Sequence, residues 1–274
     1  MPGNNSIFSA DTSLYCIFGN PVSHSKSPIM HNTLFKNYNI NSVYLSFNIN
    51  NIEKAIESIR ELNIKGASIT IPFKQKVMKH LDIIDKQAES IGAVNTIVNN
   101  NGILTGYNTD WQGGVSPLKK YGINDKKVGI IGAGGAAHAL AHGIKINKGY
   151  ITIINRTRER GEKLAELFNA DFCRLDQIKE KKFDILINAT SLGMTPDIDT
   201  SPAEKQLLKK NMIIMDIVYN PIETKFIKDA KKIGCTTIDG LSMFLHQGIN
   251  QFELWTKIKP SMDNLRQTIM RSLI

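Results

Sequence analysis

The 274 residues, 42% of them hydrophobic, are enough for two ordinary domains with real cores. Lys and Arg outnumber Asp and Glu by 34 to 25, a net charge of +9, yet the basic residues are spread along the chain and no basic stripe alternates with aromatics; that argues against a nucleic-acid partner and for attraction of anionic small molecules. Cys16, Cys173 and Cys235 stand in no metal-ligand spacing, no apolar run reaches membrane-spanning length and the polar start of the chain lacks a secretion leader, so a cytoplasmic protein without a metal or a membrane partner is expected.

In chain order, residues 14–18 read as a strand that runs into Gly19-Asn20-Pro21 and then Val22-Ser23-His24-Ser25-Lys26-Ser27-Pro28. Pro28 suits the first turn of a helix continuing through Met30, Leu34 and Phe35. Ser27 would cap that helix and leave Ser25 to face a ligand; the alternative is that both serines only turn and cap the backbone. Residues 43–49 alternate as a strand, and Ile52, Ile56, Ile59 and Leu62 recur at helical spacing, which completes a βαβ unit. Residues 66–71 form the next strand. It breaks at Pro72-Phe73-Lys74 and places Lys74 where open parallel sheets hold their ligands. A helix is expected over 82–90, then a strand over 93–98, a turn at Asn99-Asn100-Asn101-Gly102 and a strand over 103–107. The Asn-Gly pair marks a hairpin, so this edge of the sheet should be antiparallel. Asn108-Thr109-Asp110 then opens a helix near Trp111, where Asp110 serves either as an N-cap or as a ligand group.

The domain change falls around residues 111–122. Val128, Ile130 and Ile131 make a buried-type strand, followed at once by Gly132-Ala133-Gly134-Gly135-Ala136-Ala137 and a helix. The spacing is Gly-x-Gly-x-x-Ala, and the glycines let backbone N–H groups and the positive end of the helix meet a pyrophosphate. A second strand, residues 150–155, ends in Asn155-Arg156-Thr157-Arg158 with Arg160 close behind, in place of the carboxylate that an NAD site uses for the ribose hydroxyls. Arg156, with Arg158 or Arg160, would hold a 2′-phosphate, so the cofactor expected is NADP. Strands follow at 183–188, ending in Ala189-Thr190-Ser191, and at 212–217, ending in Val218-Tyr219-Asn220-Pro221. A helix over 224–233 leads to a short strand at 235–238. Asp239-Gly240 then opens an apolar helix over 241–255, in which Met243, Phe244, Leu245, Ile249 and Phe252 wrap too widely for a surface helix. It should cross to the first domain, with Gln247 as a polar exception.

Taken together and in order, Ser23-His24-Ser25-Lys26-Ser27-Pro28, Thr70-Ile71-Pro72-Phe73-Lys74, Ala93-Val94-Asn95-Thr96, Asn108-Thr109-Asp110, the glycine turn and Asn155-Arg156-Thr157 resemble the shikimate dehydrogenase family over roughly residues 14–252. The resemblance implies an α/β protein of two α/β domains. One would be an N-terminal substrate domain, residues 1–110 plus 241–274, with a mixed, mainly parallel sheet. The other would be a Rossmann-type NADP domain, residues 111–240, with the C-terminal helices packing back on the first. It implies reversible NADP-linked reduction of 3-dehydroshikimate to shikimate, with Lys74 and Asp110 as the catalytic pair. Ser25 and Ser27 would bind the substrate carboxylate, Thr70 and Asn95 would contact the ring substituents, Gln247 would reach in from the C-terminal helix, and Tyr219 would bind the substrate as well. Gly132, Ala133, Gly134, Gly135 and Ala136 would carry the pyrophosphate, and Asn155, Arg156, Thr157 and Arg160 the 2′-phosphate end. Thr190, Ile217, Gly240 and Met243 would line the ribose and nicotinamide side. The family places no metal here, and monomer and homodimer both remain open.

Hydride addition to a ketone leaves charge on oxygen, so the chemistry needs a positioned proton donor, a role that suits Lys74 with Asp110 orienting it. The rival readings are a quinate/shikimate dehydrogenase that prefers NAD and a non-catalytic NADP-sensing protein. The first lacks its acidic residue after Ile154; the second gives no reason for Lys74, Asp110 and the hydroxyl-rich loop to occur together.

Overall fold

The computed structural model describes residues 8–262 and 264–273. Two six-stranded sheets organise the chain. The first contains β1 (Ser13–Gly19), β2 (Ser42–Asn48), β3 (Gly66–Ile69), β4 (Ile83–Ile84), β5 (Thr96–Asn100) and β6 (Ile103–Tyr107), in the order β2-β1-β3-β5-β6-β4. β1 pairs in parallel with both β2 and β3, whereas β5 runs antiparallel between β3 and β6. The antiparallel hairpin read from Asn101-Gly102 is therefore present, with the short parallel strand β4 outside it at the edge.

Alternation along β1 sends Tyr15 and Ile17 to one face and Cys16 and Phe18 to the other. Cys16 and Phe18 pack with Ile56 and Ile59 of α2 (Ile52–Glu61). Tyr15 and Ile17 pack with Met30, Leu34 and Phe35 of α1 (Ser27–Asn37), and with the C-terminal part of the chain. Helix α2 stops one residue before Leu62, which is 66% exposed; the helical repeat read from the sequence ran one position too far. The helix expected over 82–90 is also shorter. Asp82 accepts the Leu104 amide and pairs with Arg60, so the chain first adds β4 to the sheet. Asp85 is the N-cap of α3 (Lys86–Ile91), accepting from Gln87 and Ala88.

The second sheet is parallel throughout, in the order β12-β11-β10-β7-β8-β9. Its strands are β7 (Lys127–Ile131), β8 (Tyr150–Asn155), β9 (Asp171–Arg174), β10 (Ile185–Asn188), β11 (Ile213–Asp216) and β12 (Thr236–Ile238). This is the doubly wound dinucleotide order, and it reverses between β7 and β10, where such sheets place their ligands. Helices α5 (Gly135–Ile146) and α6 (Arg158–Phe168) cover one face and α7 (Lys225–Ile233) the other. Burial on both faces explains the unbroken apolar runs at 128–131 and 185–187. β9 is a strand the sequence did not announce.

The sheets meet around α4 (Asp110–Val115) and α8 (Gly240–Thr256). The helix expected to open near Trp111 is α4, followed by a separate 3₁₀ turn at Lys119–Tyr121. Helix α4 is short but tightly wedged. A methyl on Gly113 would lie 2.8 Å from Gln247 Cβ, and one on Gly114 2.5 Å from Leu140 Cδ2. Helix α8 crosses the junction as its wide apolar girth suggested: Met243 joins the core of the second sheet, while Leu245, Ile249 and Phe252 join that of the first. A last helix, α9 (Leu265–Arg271), docks Leu265 and Ile269 on the same face of the first sheet, and Lys26 Nζ donates to Ser272 O at 2.6 Å.

Candidate active site

Lys74 leaves β3 through a turn in which the Phe73 amide donates to Thr70 O, and the Lys74 carbonyl accepts from Val94 N at 2.8 Å. The backbone is thus tied to the segment before β5. Its ammonium meets Asp110 Oδ2 at 2.5 Å, with the two side chains 17% and 6% exposed. Asp110 is not the N-cap: Thr109 holds that position before α4, and the Asp110 carboxylate pairs with Lys74 and accepts from Asn95 Nδ2 at 2.9 Å. Asn95 is itself oriented without ambiguity. Its Oδ1 accepts the Thr109 amide at 2.8 Å, a group that can only donate, so Nδ2 must face Asp110. Asn108 Oδ1 accepts the Asp110 amide, and Gln247 Oε1 lies 3.4 Å from Asn95 Nδ2. Lys74, Asp110, Asn95 and Gln247 therefore lie together, brought there by the turn after β3, the start of α4, the residue before β5 and α8.

Ser27 is not the cap expected of it. Lys26 is the N-cap of α1, and Ser25 Oγ accepts the Ser27 amide at 3.2 Å, closing the first turn. Ser27, 5% exposed, directs its hydroxyl at Tyr44. A serine at the first helical position has an amide that needs a partner, and the preceding serine supplies it. Tyr219, from the loop after β11, faces Ser25 and the Lys26 backbone and packs tilted against Phe244 with ring centroids 4.7 Å apart. Burial raises its phenol above the usual range. The Thr70 hydroxyl has no hydrogen-bond partner among the described residues.

On the other side, Gly132 takes φ +118°, and a methyl there would meet Ala189 O at 3.0 Å; only glycine turns the chain this closely past the end of β10. Around Gly134 a methyl would meet nothing within 4 Å, so the space before the helix is open. No side chain caps α5 and its first turn carries no acid, which leaves backbone N–H groups for an anion. The Lys74 stem lies against this turn: a methyl on Gly135 would sit 3.2 Å from Lys74 Cδ.

Asn155 ends β8 and donates to Thr157 O, and Thr157 is the N-cap of α6 without using its side chain. Arg158 is paired with Glu162 at 2.8 Å, whereas Arg156 and Arg160 are exposed and without an ion-pair partner among the described residues. These groups fit a phosphorylated dinucleotide: open backbone donors at the turn and two uncommitted guanidinium groups at the far end. Thr190 is held by Asn188 Oδ1 through both its amide and its hydroxyl. Gly240 packs under the Ile217–Val218 backbone, where a methyl would be 2.3 Å from Val218 O. Met243 is largely committed to the core, 3.7 Å from a methyl on Gly114.

The sequence reading missed the groups that hold these loops. Asp216, wholly buried at the end of β11, accepts from Asn188 Nδ2, the Val218 amide and the Thr224 hydroxyl at 2.9, 3.0 and 2.7 Å. Burial outweighs those donors and raises its carboxyl from 3.8 to about 6. Since the folded value lies above the unfolded one, the folded state binds the proton more readily; the stabilising effect is full below the unfolded value and is lost as pH rises through about 6. Asp216→Asn keeps the shape and an acceptor for Val218 and Asn188. Its unfolding free energy relative to the parent should therefore rise by up to about 3 kcal/mol on going from below the unfolded value to above the folded one. Denaturant titrations at acid and neutral pH check this, and a difference that did not change with pH would refute the assigned cause.

Comparison with known proteins places this geometry. Residues 17–97 match the family model of the shikimate dehydrogenase substrate binding domain. Residues 117–243 match that of shikimate/quinate 5-dehydrogenase, and residues 240–270 that of the shikimate 5′-dehydrogenase C-terminal domain. The NADP⁺-dependent shikimate dehydrogenase of Pyrococcus abyssi is 41% identical over 95% of this chain and 98% of its own. A solved shikimate dehydrogenase in complex with NADP⁺ superposes with a TM-score of 0.93 at 39% identity, covering 98% of each chain. A quinate dehydrogenase of Corynebacterium glutamicum in complex with NAD superposes at 0.88 and 28% identity, covering 95% and 99%, so the backbone alone does not choose the cofactor. Both the sequence and the two-sheet fold thus carry the same assignment, and the chain belongs to the shikimate dehydrogenase family.

Proposed function

We propose that the protein catalyses the reversible NADP-linked reduction of 3-dehydroshikimate to shikimate, with Lys74 as the proton donor and Asp110 as the group that orients it. The observation that carries this reading is the 2.5 Å Lys74–Asp110 pair whose lysine stem rests against the glycine turn, bringing a proton donor to the border between the two sheets. NADPH, when bound, supplies the hydride. As the carbonyl carbon gains that hydride, its oxygen takes a proton from the Lys74 ammonium, and the amine is reprotonated from solvent. Asp110 Oδ2 holds the ammonium in line while Asn95 occupies Oδ1.

Residues up to 110 and from 241 onward form the substrate half in this reading, and 111–240 the NADP half. Ser25, Ser27 and Tyr219 face the substrate carboxylate; Thr70, Asn95, Asp110 and Gln247 face its hydroxyls. Gly132 to Ala136 cradle the pyrophosphate, Asn155, Arg156, Thr157 and Arg160 the 2′-phosphate, and Thr190, Ile217, Gly240 and Met243 the nicotinamide end. Three buried, unpaired thiols accord with a cytoplasmic enzyme, and monomer and homodimer both fit it. Initial rates with shikimate and quinate, each against NADP and NAD, test the assignment: shikimate with NADP should give the highest kcat/KM, and a higher value for quinate or for NAD would overturn it.

A further inference from the structure

Gln251 lies on α8 one turn after Gln247, 2% exposed, at a position the apolar pattern of the helix would give to an aliphatic side chain. Its amide is fully engaged. Nε2 donates to the Asn95 carbonyl at 3.1 Å and to Thr96 Oγ1 at 2.9 Å, and Oε1 accepts from Ser68 Oγ at 2.9 Å. A backbone carbonyl only accepts, so the amide orientation is fixed and the protons around it follow. Ser68 must donate to Gln251, and Tyr44 must donate to Ser68, at 2.6 Å. Thr96, receiving from Gln251, sends its own proton to Asn95 Oδ1 at 2.7 Å. Asn95 Oδ1 then accepts from Thr96 Oγ1 and the Thr109 amide, with the Thr109 hydroxyl farther off at 3.3 Å, and its Nδ2 donates most closely to Thr109 Oγ1 and Asp110 Oδ1. The chain ends at Lys74 on Asp110 Oδ2.

We propose that Gln251 is a positioning residue for the reaction: through Thr96 and Asn95 it fixes the Asp110 carboxylate, and hence the Lys74 ammonium, from the C-terminal helix. This rests on Lys74 and Asp110 being the reacting pair. The same network turns towards the other end of the site, because Tyr44 also faces the Ser27 hydroxyl. One buried amide therefore ties together the serine loop, β3, β5 and the pair. The wall beneath it is uncharged: His31 stacks on Tyr44 with centroids 4.6 Å apart, and burial pushes its imidazole down to about 3. Docking of α8 does not depend on Gln251, since Trp255 Nε1 separately donates to Ile97 O at 2.9 Å and Phe252 is wholly buried. What Gln251 adds is direction, not adhesion; a satisfied buried amide brings little net stability but selects one arrangement of its partners.

Gln251→Met keeps the length and removes both donors and acceptor; Thr96→Val removes the hydroxyl link with almost no change of shape. Each variant is expected to lose on the order of tenfold in kcat for shikimate oxidation while KM for NADP stays within about twofold. The double variant should be no worse than Gln251→Met alone, because both cut one chain. Unchanged kcat in Gln251→Met and Thr96→Val with only the melting temperature lowered would overturn the proposal, as would additive losses. If Gln251→Met fails to fold, Thr96→Val decides alone. Lys74→Ala measured beside them separates the two claims: if it retains activity the assignment of the pair fails, and if it is inactive while both other variants run at the parental rate, only the role of Gln251 fails.

Discussion

Lys74→Ala should lower kcat for shikimate oxidation by about 10²–10⁴-fold, the usual value of a positioned acid–base group, with KM for NADP little changed. The split follows from where the side chain goes. The ammonium is held by Asp110 at 2.5 Å and acts on the substrate oxygen, whereas only the aliphatic stem touches the glycine turn. The variant also leaves Asp110, 6% exposed, with Asn95 as its side-chain partner and no cation. Breaking a buried pair from one side costs about 3–5 kcal/mol, so part of any loss could be loss of fold. Lys74→Met keeps the stem against Gly135 but, like Lys74→Ala, leaves Asp110 without its cation, so the fold of each variant has to be measured directly. Both variants should be inactive to the same degree, and circular dichroism should show which of them is folded at the assay temperature. Turnover of folded Lys74→Met within tenfold of the parent would remove Lys74 from the chemistry.

How far the sequence goes is clearest at the two kinds of strand. The runs at 128–131 and 150–155 are long and apolar, lie either side of a glycine turn, and could be placed without the structure. β9 could not. Of Asp171–Arg174 only Cys173 is buried, and the segment is a strand because β8 offers it an open edge. β4 is two residues long and exists because Asp82 is pinned by the Leu104 amide, a contact from a strand that comes twenty residues later. Asp82 and Asp85 both look like caps, and tertiary contacts choose between them. Within the site, residue types that need each other were legible: a lysine after a strand, an aspartate opening a helix, arginines where a carboxylate was missing. The start of α1 was not, because Lys26 takes the N-cap place and Ser25 Oγ the Ser27 amide only in a turn that also sets these serines beside Tyr44 and Tyr219. Gln251 could have been found. It repeats Gln247 after one turn, on a side of α8 flanked by Phe244, Gly248 and Phe252, and that period is the signal of a buried polar strip.

Arg156→Ala combined with Arg160→Ala should raise KM for NADP by about 10²-fold and leave KM for NAD close to its parental value, so that the preference between the cofactors collapses. A hydrogen bond to a charged group contributes about 1.5–3 kcal/mol, and two exposed guanidinium groups fall at the lower end for each. The assignment of these two over Arg158 comes from their neighbours. Arg158 is already bound to Glu162, and Thr157 leaves its hydroxyl unused at the start of α6. Cations crowded at a helix N-terminus oppose the helix dipole, and a dianionic phosphate placed among them turns that cost into binding. Arg158→Ala is accordingly expected to change KM for NADP by less than about threefold, in line with a solvent-exposed i,i+4 pair. The effect of the double variant should shrink as salt is raised, since the parent alone carries the screened attraction. A parallel rise in KM for NAD would mean that the arginines support the loop itself rather than the 2′-phosphate. An unchanged NADP preference would place cofactor selection in a part of the chain other than the end of β8.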